Sequence, residues 1–127
     1  MSNFFKNIIL SGIIVGATST AVLADPVYMI AQIQIEDQEK YFNDYANGVI
    51  PIINSTGAKV LVASPSVNSL EGEWVGNWTV VIEFPSEEAA MADWYNSEEY
   101  VEVRKLRMDA TSAGNLVIAP AFVPPAQ

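Results

Sequence analysis

Along "VYMIAQIQI" the odd positions Val27, Met29, Ala31, Ile33 and Ile35 are apolar, and the even ones, Tyr28, Ile30, Gln32 and Gln34, are mixed. A period of two puts these sets on opposite faces of a strand. After Asp37 the period lengthens. Tyr41, Phe42, Tyr45, Val49, Ile52 and Ile53 recur at steps of three and four through residues 38–55. That pattern predicts an amphipathic helix capped by Asp37. Pro51 predicts a kink or restart inside it, and Gly57 its end. "AKVLVAS", residues 58–64, predicts a second strand that Pro65 closes. Glu71-Gly72 and Gly76-Asn77 are turn signals. "WTVVIEF", residues 78–84, is rich in β-branched and aromatic residues and is the clearest strand. Ser86 then caps a helix, with Glu87 and Glu88 in the first turn, where the helix dipole favours acids. Asn96-Ser97 interrupts that helix. Ser97 caps a further piece over 98–112, with Tyr100, Val103, Leu106 and Ala110 as its stripe. Gly114 is expected to end it, and "NLVIAPAFV", residues 115–123, to form the last strand.

The order is β-α-β-β-α-β. With both helices on one face of an antiparallel sheet, it predicts a ferredoxin-like α+β sandwich. "LVA", "VVI" and "LVIA" are apolar on both strand faces. One face packs on the helices; the other is a large apolar surface that calls for a partner. A two-fold homodimer with its sheets stacked face to face is therefore expected.

The 127 residues suit one domain. Residues 1–24 read as a secretory signal peptide, with Lys6, the apolar run of residues 8–23 and the small residue Ala24 at the cut. The run is diluted by Ser11, Thr18, Ser19 and Thr20 and is short for a membrane span. Cleavage after Ala24 leaves Asp25–Gln127 as a single periplasmic or secreted domain. It is one unit more acidic than the −9 of the whole chain and has no stable membrane association. Such acidity repels phosphate backbones, so nucleic acid is not an expected partner. The chain has no cysteine and no histidine. Disulfides, Ser-His-Asp and Cys-His catalysis and histidine-ligated metals are thereby excluded.

"YMIAQIQIED", "GAKVLVAS", "LEGEW", "VVIEFPSEEAA", "WYNSEEY" and "NLVIA" together resemble the DUF1330 family of the dimeric α/β-barrel superfamily, over about residues 27–121. The resemblance implies a homodimer, a cavity between sheet and helices, and a biochemical function that is not established. Related branches of the superfamily include cofactor-free monooxygenases and isomerases. The chain departs from the family pattern in four places. Gly57-Ala58 replaces a double glycine. Ser64-Pro65-Ser66 replaces an Arg-Gly-Gly whose arginine suits an anionic ligand. Glu98 replaces a proline. One residue is added around Met91-Ala92-Asp93. An added residue turns a helix face by about 100°, so Trp94 and Tyr95 are displaced unless a bulge absorbs it.

Glu83, inside an apolar strand, is the candidate catalytic carboxylate, because burial would fit it for acid–base work. A structural acid with a bonded partner is the competing explanation. Arg107, at the edge of the second stripe, is a candidate ligand anchor or a partner for Glu83. It could equally be a solvated charge. Lys59 reads as a surface charge. Tyr41, Tyr45, Trp94 and Tyr95 are candidate walls of the superfamily's cavity, with Gln32 and Asn54 as polar anchors. Core or dimer packing competes for the aromatics. The paired acids in "SEEA" and "SEEY" diverge on a helix, so no metal site is expected. No nucleotide fingerprint occurs, so no cofactor is expected either. Three functions stay open: a small-molecule binder, a cofactor-free enzyme using Glu83, and a purely structural dimer.

Overall fold

The computed structural model describes residues 24–127; the signal peptide expected over residues 1–24 lies almost wholly outside them. Four strands, β1 (Val27–Ile35), β2 (Lys59–Ser64), β3 (Trp78–Phe84) and β4 (Thr111–Pro120), form one antiparallel sheet in the order β2-β3-β1-β4. Helices α1 (Ala46–Ser55) and α2 (Glu98–Ala110) cover one face. This is the ferredoxin-like α+β sandwich expected from the element order.

The two faces follow the alternation of β1. Val27, Met29, Ala31, Ile33 and Ile35 are all buried beneath the helices. The register sets them beside Phe84, Ile82, Val80 and Trp78 of β3. The other parity places Tyr28, Ile30 and Gln32 beside Glu83, Val81 and Thr79 on the open face. In β2 a bulge at Leu61 resets the phase. Val60 and Ala63 fall on the covered face, and Val62 falls opposite Val81 on the open one.

The caps form where the sequence places them. Asp37 accepts from the Lys40 amide at 3.0 Å, Ser86 from Ala89 at 3.0 Å and Ser97 from Tyr100 at 3.1 Å. Gly57 closes α1 at φ +78°, a region costly for other residues. Gly76, also at positive φ, lies so close to the Ile33 carbonyl that a Cβ would collide with it. Asn77 beside it binds the end of β1 three ways, through Ile33 O (2.9 Å), Ile35 N (2.8 Å) and Ile35 O (3.0 Å). What read as a simple turn pins the long β2–β3 loop to the sheet.

Three expectations are corrected. α1 does not restart at Pro51 but runs on through it to Ser55. The proline sits on the exposed side with Asn47, whose carbonyl loses its usual donor where water can replace it. Gly114 does not end α2; the helix stops at Ala110 and Gly114 lies within β4. Each helical region also begins with a π-helical stretch, Lys40–Tyr45 before α1 and Ala89–Tyr95 before α2. The Ala46 amide reaches back five residues to Tyr41 O, and the Asn96 amide reaches Met91 O at 2.9 Å. The second stretch leaves Trp94 buried, 2% exposed.

Candidate functional site

The covered face is not completely filled. Between the sheet and the first helical region lies a cavity of about 300 Å³. Its floor is Met29, Ile33, Val80 and Ile82; its helical wall is Tyr41, Tyr45, Val49 and Ile53. Trp94 and Arg107 line it as well. The lining residues Phe42, Ile50, Val60 and Ala63 are exposed, so the cavity opens between α1 and the edge strand β2. Both π-helical stretches deliver aromatics to it, Tyr41 and Tyr45 from one and Trp94 from the other.

Arg107 is the unusual member. It is 7% exposed, in the inward stripe of α2 with Tyr100 and Ala110. Seven residues after Tyr100, it is two helical turns along the same face. The ion pairs among the described residues are Lys40–Asp109 and Lys105–Glu102, and Arg107 joins neither. No carboxylate lines the cavity. Burial opposes the guanidinium charge. The oxygens of Tyr100, Tyr45 and Tyr41 outweigh that effect, and the pKa stands above its ordinary value. Arg107 is therefore a buried cation surrounded by phenols.

Tyr41 and Tyr45 are held neutral. Tyr45 and Tyr100 share a hydrogen bond of 2.9 Å between their hydroxyls. Burial, with Tyr100 beside it, pushes Tyr45 far above the usual phenol range. Burial pushes Tyr41 up to about 12, against the pull of Arg107. Trp94 stacks on Phe84 with ring centres 5.2 Å apart and meets Tyr100 at 4.8 Å. Among the described residues, two buried side-chain nitrogens lack a hydrogen-bond partner: Trp94 Nε1 and Arg107 Nε. Both residues line this one cavity. Buried polar groups are nearly always bonded, and each unbonded one costs about 1–3 kcal/mol.

Of the residues singled out in the sequence, Tyr41, Tyr45, Trp94 and Arg107 come together at the cavity. Tyr95 does not join its wall. It is half-buried under the Arg104 guanidinium, 4.7 Å from ring centre to carbon, and faces an outer groove and a smaller hollow against β4. Gln32 lies on the open face, where its side-chain oxygen is 3.4 Å from Asn115 Nδ2. Asn54 is exposed near the end of α1. Glu83 lies on the open face too, level with Tyr28 on β1 and Lys59 on β2. The sheet separates it from the cavity and from Arg107, so the two do not pair. Lys59 is exposed. Two contributors were not among the residues expected in the cavity wall. Trp78 lines the cavity through the same parity as Val80 and Ile82. Tyr100 supports it from behind through Tyr45. Strand parity and the seven-residue step to Arg107 were the signals that could have revealed them.

Fold and site together define a ferredoxin-like α+β domain with an apolar cavity between sheet and helices. The chain belongs to the DUF1330 family, a domain of unknown function, whose model matches residues 26–122. Among curated proteins none matches. Among solved structures, a protein of unknown function from Rhodopseudomonas palustris is 19% identical, with 79% of this chain and 85% of that one covered at a TM-score of 0.61. A hypothetical protein of Arabidopsis thaliana is 13% identical, covering 82% and 95% at 0.57. A proposed antibiotic biosynthesis monooxygenase from Nitrosomonas europaea is 11% identical, covering 81% and 96% at 0.56. At such identities the likeness shows the shared fold alone.

Proposed function

We propose that the protein is an exported homodimer that binds a small organic molecule in the cavity of each protomer. One observation carries the binding reading: Trp94 and Arg107, the two residues that carry an unbonded buried nitrogen, both line the same ligand-sized cavity. The homodimer is supported by the open face. Val62, Val81, Ile30 and Val117 lie side by side across all four strands, each level with the next. Val117 is 53% and Val62 40% exposed in the single chain. Export rests on the basic, apolar and small-residue layout of residues 1–24. A catalytic role for Glu83 loses its support, because that carboxylate is on the wrong side of the sheet.

The cavity is tested with toluene, a neutral apolar probe, by saturation-transfer NMR. Transfer from protein to toluene is expected, and its loss in an Ile53→Trp variant that fills the space. No transfer to toluene at millimolar concentration contradicts the reading. Light scattering should give twice the single-chain mass; a monomer at micromolar concentration contradicts the stacked sheets. Mass spectrometry of the protein from its native cell envelope should find Asp25 at the N-terminus, and an intact Met1 contradicts cleavage.

A further inference from the structure

We propose that the cavity takes a small organic monocarboxylate, its apolar body among the aromatics and its carboxylate on the Arg107 guanidinium. This assignment rests on the cavity being a ligand site and adds the charge of the ligand. Arg107 is the charged residue of the lining and its guanidinium only donates, so the complementary head accepts hydrogen bonds. It is a buried cation without a carboxylate partner. A buried charge of that kind is stabilised by an opposite charge, and a planar guanidinium matches a carboxylate. A single cation suits a single negative charge. A phosphate dianion would leave excess charge in an apolar wall of a protein that already carries −9.

The surroundings agree with this assignment. The chain holds two arginines, Arg104 and Arg107. Both line one groove, with Tyr95, Thr111 and Ser112, between α2 and the start of β4. Arg107 and Leu116 belong to both that groove and the apolar cavity, and Arg107 is the charged one of the two. An anion attracted to Arg104 at the surface thus meets Arg107 at the boundary between water and cavity. The cavity's 300 Å³ suits roughly ten non-hydrogen atoms, at the ~30 Å³ that one water occupies in the liquid. That is the size of an arylcarboxylic or medium-chain acid.

Three probes of one shape decide it: benzoate, benzyl alcohol and benzylammonium, titrated into the full protein and followed by calorimetry at neutral pH. Benzoate should bind at least ~10-fold more tightly than benzyl alcohol, the scale of a charge-assisted hydrogen bond. Benzylammonium should not bind measurably. Arg107→Met should erase the preference for benzoate, and Arg107→Lys should keep part of it. Equal binding of benzoate and benzyl alcohol, with toluene still bound, overturns the carboxylate assignment and leaves the cavity reading standing. Failure of toluene and all three probes overturns both. If Arg107→Met does not fold, the three-probe comparison on the unaltered protein still decides between these results.

Discussion

The two faces of the sheet carry residues of similar type and treat them differently. On the open face, Thr79 accepts a bond from the Trp74 indole at 2.9 Å, Gln32 meets Asn115, and Glu83 lies level with Lys59. Polar groups there have a neighbour or water. On the covered face, Trp94 Nε1 and Arg107 Nε have neither a partner nor exposure. The residue that looked like chemistry in the sequence, Glu83, is on the satisfied face. Arg107, which the sequence offered equally as a ligand anchor and as a solvated helix charge, is on the unsatisfied one. Burial without a partner is therefore a better guide to this site than an acid in an apolar run.

Substitutions that treat the faces separately should sharpen the contrast. The largest effect belongs to the covered face. Trp94→Ala removes a 2%-exposed ring from the Phe84–Tyr100 stack and should cost about 3–5 kcal/mol in urea unfolding. A cost under about 1 kcal/mol would mean the ring is not packed there. On the open face, Val81→Lys puts a charge into the apolar row and should weaken the dimer by at least ~100-fold, about 2.7 kcal/mol. The monomer should keep its far-UV circular dichroism. A dimer undisturbed by this change contradicts the sheet stacking.

Alkaline pH probes the covered phenols. Tyr41 is raised from 10.0 to about 12 in the folded protein, chiefly by burial. The unfolded chain thus releases this proton first, and unfolding gains as pH rises. The stabilisation is complete below about pH 10 and disappears by about pH 12, a loss of about 2–3 kcal/mol. Urea titrations across that window should show the slope, and Tyr41→Phe should flatten its share. An unchanged slope in the variant contradicts the burial of that hydroxyl.

The smallest effects compare the two charged suspects directly. Arg107→Met replaces an unpaired buried cation with an apolar side chain and should stabilise the fold by about 1–2 kcal/mol. Glu83→Gln should change stability by no more than about 0.5 kcal/mol and leave benzoate binding alone. Destabilisation by Arg107→Met would make the guanidinium a structural group, and lost binding in Glu83→Gln would reverse the ranking of the faces.

Much of the fold was legible because periods and caps are local. The alternation of β1, the caps Asp37, Ser86 and Ser97, and the strand at 78–84 all stand where the sequence puts them. The first π-helical stretch was not legible, whereas a bulge near Trp94 was one of the two outcomes open there. One added residue shifts the stripe by less than a third of a turn, so Tyr41, Tyr45 and Val49 still read as one α-helical face. Arg107 was half legible. Its position beside the stripe was visible, but its depth depends on the Tyr45–Tyr100 pair, whose members are 55 residues apart. Gln32 could have been set aside at once, since its parity opposes Met29 and Ile33. Glu83 could not. VVI and LVIA are apolar on both sides, so parity alone does not say which face the helices cover.

The indole N–H resonances of the three tryptophans test the central claim most directly. In a nitrogen–proton correlation spectrum, added benzoate should shift the Trp94 indole and the Arg107 Nε–H signals strongly. The Trp74 indole, bonded to Thr79 on the other face, should stay in place. Trp94 and Arg107 signals that stay fixed at saturating benzoate, or a Trp74 shift in their stead, would contradict a ligand site on the helix-covered face.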